Sequence, residues 1–309
     1  MDQALTCRPQ ERAAIVLAGG EGSRLRSLTR RIAGKEIPKQ FCPIFGTETL
    51  LEQTLRRVAH TVEPRLISIV LTRSHERFYA PILSGVSPRN LVVQPQNRGT
   101  APAILYPLLR FAEVAPRATV AIFPSDHFVG NEREFMRHVE MAFAAVAMRP
   151  ELTALLGIAP QSPETAYGWI EPGAAIAETS LLIVRRFWEK PKPGIAGELM
   201  SRGCLWNSFV MVGQLSTLLG LFLIALPELY QAFRKIRAVV GTSFEERTVE
   251  RLYADLRATG FSERVLATER PVNLAVLPVH GADWSDLGEP RRVMDALVRT
   301  GIRPRWAAA

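Results

Sequence analysis

Cysteine is scarce in this 309-residue chain: three residues, Cys7, Cys42 and Cys204, without Cys-x-x-Cys spacing. That argues against a disulfide scaffold and a cysteine-based zinc site, and it suits a reducing cytosol. Lysine is scarcer still. Of 38 cationic side chains only five are lysines (Lys35, Lys39, Lys190, Lys192 and Lys235), and the arginines are spread along the whole chain. The net charge of +8 and pI near 9.8 therefore come without a basic tail. This favours an arginine-rich solvated surface over a nucleic-acid partner. Long apolar runs are also missing. The nearest approach to a membrane span, residues 209–226, is broken by Gly213, Gln214, Ser216, Thr217 and Gly220. It reads as a strand over 205–212, a break at Gly213-Gln214 and a buried helix over 215–236 that Pro227 kinks. Residues 1–12 are polar, lack a signal-peptide core and read as a flexible N-terminus. There is no repeat of 20–50 residues and no hexapeptide β-helix pattern.

What is present is an ordinary globular composition, 47% hydrophobic and 22% charged, with a mean hydropathy of +0.06. A chain of this length can bury roughly three quarters of its unfolded surface without staples. Strand-length apolar runs at 13–17, 66–71, 91–93 and 119–123 alternate with helical patterns at 100–113 and 131–148. Thr49 and Glu52 form a capping-box pattern ahead of Leu51, Leu55 and Val58 on one helical face. Asn131 and Glu134 give a second helix-start signal. This alternation predicts an α/β fold with a mixed, mostly parallel sheet flanked by helices. Further strand-like runs at 155–158, 181–187, 205–212 and 274–279 extend the sheet into a second half. The expected organisation is one domain over 13–309 in two halves, 13–150 and 151–309.

Ligands of open parallel sheets bind beyond the carboxyl ends of the strands. The segments there are unusual. After the first strand, Leu17 leads into Ala18-Gly19-Gly20-Glu21-Gly22-Ser23-Arg24. After the third come Gln94, Asn97, Gly99 and Thr100, and after the fourth Ser125-Asp126-His127. The first loop can bring backbone N–H groups to a phosphate. It is neither a Rossmann fingerprint, since Leu25 stands where the third glycine belongs, nor a P-loop, since no Gly-Lys-Ser/Thr follows. A tight turn would explain it equally well. Arg24, and Lys39 in Pro38-Lys39-Gln40-Phe41, favour the phosphate.

Together these residues resemble the sugar-1-phosphate nucleotidylyltransferase family. The glycine loop with Pro38-Lys39-Gln40-Phe41 is similar to the family signature. The segments QPQNRGTAPAI (94–104) and FPSDH (123–127) are similar to the mannose-1-phosphate guanylyltransferase branch. Further matches, in order, are Tyr167-Gly168-Trp169-Ile170, Glu189-Lys190-Pro191, Trp206-Asn207-Ser208 and Trp284-Ser285-Asp286-Leu287-Gly288. The resemblance runs from about residue 13 to 290, and the C-terminal β-helix domain of some relatives is not expected. It implies a Rossmann-like nucleotide-diphospho-sugar transferase fold of the GT-A-like kind, with 13–150 as a nucleotide-binding half and 151–309 as a sugar-phosphate half. It also implies GTP and a hexose-1-phosphate as substrates, Mg2+ or another divalent cation as cofactor, a cytoplasmic enzyme, and leaves a homodimer open. UTP or dTTP with glucose-1-phosphate is the alternative pair, and a non-catalytic nucleotide-sugar-binding paralogue the alternative class.

The family reaction joins two polyanions, so cations must offset repulsion of ~4 kcal/mol for each pair of unit charges at ~4 Å and an effective dielectric of ~20. By resemblance, Arg24 and Lys39 neutralise the triphosphate and the leaving pyrophosphate. Lys190 holds the sugar phosphate, and Asp126 and Asp286 hold the metal. Gln94, Asn97, Gly99 and Thr100 face the base, while Tyr167, Gly168, Glu189 and Asn207 face the hexose. Plain structural roles stand beside these. Asp286 can cap a helix starting near Glu289, His127 can be a hydrogen-bonded core histidine, and Tyr167 and Trp169 can be core aromatics. One residue departs from the pattern. Phe209 follows Trp206-Asn207-Ser208 where the family usually has glycine, so it either packs into the core or narrows the hexose pocket.

Overall fold

The computed structural model describes residues 11–268 and 273–307. Eleven strands form in chain order: β1 (Arg12–Leu17), β2 (Ile67–Thr72), β3 (Leu91–Gln94), β4 (Thr119–Pro124), β5 (Phe128–Val129), β6 (Thr153–Ile158), β7 (Gly168–Ala175), β8 (Leu182–Glu189), β9 (Leu205–Gln214), β10 (Leu274–Val279) and β11 (Trp284–Ser285). Ten helices accompany them: α1 (Arg26–Ala33), α2 (Leu50–Val58), α3 (Glu76–Ile82), α4 (Thr100–Val114), α5 (Glu132–Met148), α6 (Pro193–Ser201), α7 (Leu215–Ala225), α8 (Pro227–Arg237), α9 (Glu245–Asp255) and α10 (Pro290–Thr300).

Nine strands make one sheet in the order β3-β2-β1-β4-β9-β6-β10-β8-β7, and β11 pairs with β5 in a small separate ribbon. The four strands β3, β2, β1 and β4 are parallel. All of β2 is buried, as expected of a strand covered on both faces. From β9 onward antiparallel pairs intervene. β9 holds the two halves together. Its C-terminal part lies between β4 and β6, where Val212 faces both Ala121 and Ala154. Its N-terminal part pairs with β7 as well, Trp206 facing Trp169. Strands β9, β6, β10, β8 and β7 therefore close on themselves through the β7–β9 pair.

The sequence signals for the helices have physical counterparts. The Thr49 hydroxyl accepts from the Glu52 N–H while the Glu52 carboxylate accepts from the Thr49 N–H, so the capping box forms. The Asn131 side chain caps α5. The expected helix over 215–236 is instead two helices. Pro227 has no N–H to continue α7 and takes the first position of α8. Gly213 and Gln214 are not a break but the last residues of β9. No helix among the described residues is long and apolar enough to cross a membrane. The expected flexible N-terminus is corrected at its end: Arg12 lies in β1, and the Glu11 carbonyl accepts from the Thr119 N–H. Residues 1–10, Cys7 among them, lie outside the described residues.

One core runs along the sheet. A smaller one gathers Leu25, Ile37, Ile44, Leu50, Phe128, Leu287 and Val293. This second cluster anchors the segment around Lys39 and the turn around Asp286 in the same apolar body, although they are far apart in sequence.

Candidate active site

The loop after β1 is fixed by side chains from three other segments. Gln40 donates to the Ala18 and Gly20 carbonyls at 3.0 and 2.7 Å, and Thr72 and Asn97 donate to the Gly19 carbonyl. The Ser125 hydroxyl and backbone N–H both reach the Leu17 carbonyl. With carbonyls so engaged, the loop is preorganised. Glu21, Ser23 and Arg24 on it are exposed, and Arg24 has no ion-pair partner among the described residues.

The Gln94–Thr100 segment is held from the other side. Gln94 accepts from the Tyr253 hydroxyl at 3.1 Å. The Thr259 carbonyl accepts from the Ala101 N–H, and the Phe261 N–H donates to the Thr100 hydroxyl. Gly99 has φ +86°, and a Cβ there would lie 2.4 Å from the Thr259 carbonyl oxygen, so only glycine allows this approach. The contribution of Tyr253, Thr259 and Phe261 was not visible in the sequence, because it depends on a contact across more than 150 residues.

Lys39 is the centre of the charged cluster. It is only 8% exposed. Its ammonium lies 3.2 Å from Asp126 Oδ2, donates to the Asp286 carbonyl at 2.5 Å and reaches the Leu287 carbonyl at 3.5 Å. One lysine thus joins the end of β4 to the turn after β11. That turn is tight: Leu287 adopts positive φ, which its buried side chain helps to hold, and Asp283 just ahead of β11 has positive φ as well.

Three donors converge on Asp286 Oδ1: the Tyr167 hydroxyl at 2.9 Å, the Gly288 N–H at 2.8 Å and Arg292 at 2.7 Å. Helix α10 begins after Glu289 without a side-chain cap, so Asp286 shapes the preceding turn instead of capping the helix. Burial opposes ionisation of Asp286, but the positive groups around it (His127 when protonated, Arg292 and Lys39) outweigh burial and hold its carboxyl below the usual range. Burial in turn depresses His127, so near neutral pH the imidazole is uncharged and Arg292 and Lys39 supply the field. His127 packs edge-on against Trp284. Burial and the nearby Asp286 charge push the Tyr167 hydroxyl up, so it stays protonated and donates.

Asp126 and Asp286 fit a magnesium ion by their chemistry. They are hard oxygen donors, and Oδ2 of Asp286 has no hydrogen-bond partner among the described residues. No group of three or more His, Cys, Asp or Glu side chains among those residues makes a closed metal cage. Magnesium suits such an open pair, since it takes one or two carboxylates and completes its shell with water and phosphate.

The remaining candidates lie in the second half. Gly168 pairs with Glu189 across β7 and β8, with Glu189 Oε2 close beside it. Lys190 is exposed, its ammonium pairs with Glu189 at 3.3 Å, and its backbone N–H donates to the Tyr167 carbonyl. Asn207 accepts from the Phe209 N–H, and the Ser208 hydroxyl donates to the Leu156 carbonyl. These bonds sit at a bulge between β6 and β9. Phe209 is at its apex with φ +62°, and its half-buried ring packs edge-on against Phe261. The glycine-like backbone is kept although the residue is phenylalanine. Alanine at this position retains the strain and loses the ring, whereas glycine relieves ~1–2 kcal/mol of left-handed strain. Phe209→Ala is therefore expected to melt below Phe209→Gly, the reverse of the usual strand order. Thermal unfolding of the two variants checks this, and an alanine variant of equal or higher Tm would refute it.

Comparison with known proteins settles the family. The family model described as nucleotidyl transferase matches residues 13–300. The chain belongs to that family. It is 30% identical over 300 residues to the xanthan biosynthesis protein XanB of Xanthomonas campestris pv. campestris strain B100, covering 93% of this chain and 60% of that protein. It is 27% identical over 281 residues to a mannose-1-phosphate guanylyltransferase of Escherichia coli, covering 89% and 57% respectively. The chain thus spans about 60% of the length of the curated relatives it matches. A crystal structure described as that of mannose-1-phosphate geranyltransferase from Thermus thermophilus superposes with a TM-score of 0.76 at 28% identity, covering 92% of this chain and 79% of that one. The Rossmann-like nucleotidyltransferase fold is therefore this chain's fold.

Arg292 is a further residue that sequence reasoning missed, beside Tyr253, Thr259 and Phe261. A signal for it exists: Arg291 and Arg292 stand in the first turn of a helix, where the helix dipole favours acids.

Proposed function

We propose that this nucleotidyl transferase moves a guanylyl group from GTP to a hexose-1-phosphate, with mannose-1-phosphate as the acceptor, releasing pyrophosphate and a GDP-sugar. The observation that carries the reading is the Lys39 ammonium held between Asp126 and the Asp286 carbonyl at the carboxyl edge of the sheet, beside the preorganised 18–24 loop. The relatives named for mannose-1-phosphate guanylyl transfer support the choice of base and sugar.

In this reading the backbone of Ala18 to Ser23, with Arg24 and Lys39, receives the triphosphate. The Gln94–Thr100 segment faces guanine, whose N1–H, N2–H and O6 can be read by backbone carbonyls and amides. Gly168, Glu189, Lys190 and Asn207 receive the hexose phosphate, and Tyr167 orders that side through Asp286. Asp126 and Asp286 would hold Mg2+, which when bound neutralises phosphate charge as a Lewis acid. The protein has little covalent work to do, so positioning and charge neutralisation carry the rate.

The deciding experiment is a matrix of GTP, ATP, UTP, CTP and dTTP against several hexose-1-phosphates, read as pyrophosphate release. GTP with mannose-1-phosphate is expected to give the highest kcat/KM. A maximum at UTP or dTTP with glucose-1-phosphate would refute the assignment.

Lys190 gives a sharper test of the acceptor side. It is exposed and its only ion-pair partner among the described residues is Glu189, so its removal leaves the fold intact. Lys190→Ala is expected to raise KM for the hexose-1-phosphate by about tenfold, the loss of one charge-assisted contact worth ~1.5 kcal/mol. KM for GTP should change less than twofold. A loss confined to GTP would show that Lys190 serves the other substrate.

A further inference from the structure

We infer that Arg292 is a positioning residue that fixes the Asp286 carboxylate with one oxygen turned away from its protein donors, and ties it to the loop leading into β7. This rests on the reading of Asp286 as a metal ligand and extends it to a residue outside the sequence motifs.

The geometry is two-handed. One terminal nitrogen of Arg292 lies 2.7 Å from Asp286 Oδ1 and the other 2.6 Å from Glu164 Oε2. Its guanidinium carbon sits 4.5 Å from the centre of the Tyr167 ring, and the Tyr167 hydroxyl bonds the same Asp286 oxygen. Glu164 is itself fixed, since its carboxylate accepts from the Ala166 N–H and its carbonyl from the Trp169 indole. Arg292, Tyr167 and the Gly288 N–H thus immobilise Oδ1, and Oδ2 is left without a protein donor among the described residues. That asymmetry is what a carboxylate ligand needs: one oxygen oriented by surrounding groups and one available to a cation.

The packing leaves little slack. A Cβ at residue 288 would fall 2.7 Å from Asp286 Oδ2 and 2.9 Å from Arg292 Nη1, so any side chain there would push the carboxylate or the guanidinium aside. Arg292 also stands where a cation is unfavourable, in the first turn of α10. Its neighbour shows what an ordinary arginine does there. The Arg291 side chain is 89% exposed with one 3.9 Å contact to Asp295, whereas that of Arg292 is 13% exposed. Lysine's single ammonium does not reproduce a planar fork that reaches two carboxylates through separate nitrogens.

The test compares Arg292→Met, Arg292→Lys and Arg291→Met with Asp286→Asn and the Asp286→Asn/Arg292→Met double variant. Arg292→Met is expected to lower kcat by 10- to 100-fold with KM for GTP nearly unchanged, the usual cost of losing a group that orients a ligand. Arg292→Lys keeps the charge without the fork, should fall between Met and wild type, and provides the folded comparison if the Met variant is unstable. The double variant should be no slower than Asp286→Asn alone, because Arg292 acts through that carboxylate. Independently of turnover, water-proton relaxation with Mn2+ and GTP, without hexose phosphate, should show Mn2+ affinity weakened in both Arg292 variants and unchanged in Arg291→Met. Multiplicative losses in the double variant, or wild-type Mn2+ affinity in folded Arg292 variants, would overturn the inference while leaving Asp286 as ligand. Full activity of Asp286→Asn would instead overturn the metal reading, and with it this one.

Discussion

Asp286→Asn is expected to reduce kcat by two to three orders of magnitude, and Asp126→Asn by a similar factor. The Asp286 case follows from which oxygen is engaged. Oδ1 accepts from Tyr167, Gly288 and Arg292. An asparagine must turn its carbonyl oxygen toward those donors, which directs its NH2 group to the side where Asp286 carries its open oxygen. A carboxylate oxygen is then replaced by a donor that repels a cation. The volume barely changes, so the fold should survive and the loss should appear in turnover. At Asp126 the same substitution leaves the buried Lys39 ammonium without its carboxylate partner. A loss of ~3–4 kcal/mol in transition-state stabilisation corresponds to the stated range. Pyrophosphate release at saturating substrates, titrated with Mg2+ and repeated in excess EDTA, measures it. A fully active Asp286→Asn enzyme would leave that residue with only its turn-forming role, and undiminished activity in EDTA would remove the metal altogether.

Much of this arrangement can be read along the chain, for local reasons. Strands β1, β2 and β4 announce themselves because they are buried on both faces and so consist of apolar runs. The Thr49 and Asn131 caps are contained within four residues each. Strand β7 is not legible in the same way. Its sequence includes Pro172 and Gly173, poor strand residues, and its register with β8 slips on either side of Pro172. It exists because β8 and β9 supply partners. The split between α7 and α8 was half legible, since Pro227 was recognisable but a kink and a new helix look alike in one dimension.

The site divides likewise. Each motif shows itself by residues that are hard to explain structurally, such as a glycine loop, rare lysines and strand-end aspartates. Their convergence does not. Lys39 and Asp286 are 247 residues apart, and their contact runs through a backbone carbonyl, which no residue type encodes. The order of motifs that resembles the family substitutes for that missing information. Arg292 falls outside those motifs and only the folded chain reveals it.

Lys39→Met carries the other large expected effect, and it separates a structural lysine from a functional one. The substitution keeps the aliphatic stem and removes the charge, leaving Asp126 without its lysine partner and the Asp286 carbonyl without its donor. Stability should fall by ~1–3 kcal/mol, the cost of stranding partly buried acceptors. For a domain of this size that is a drop in Tm of several degrees. If Lys39 only braced the fold, the surviving folded enzyme would turn over normally at 20 °C. In the proposed reaction it also offsets negative charge gathering on the triphosphate and the departing pyrophosphate, so kcat should fall at least 100-fold. The inhibition constant for pyrophosphate should rise at least tenfold, a readout that loss of stability alone would not move. Lys39→Arg restores the charge, but its planar fork does not fit the pocket between Asp126 and two carbonyls, so stability and rate should recover only in part. Wild-type pyrophosphate inhibition in folded Lys39→Met would confine this residue to bracing the turn at Asp286.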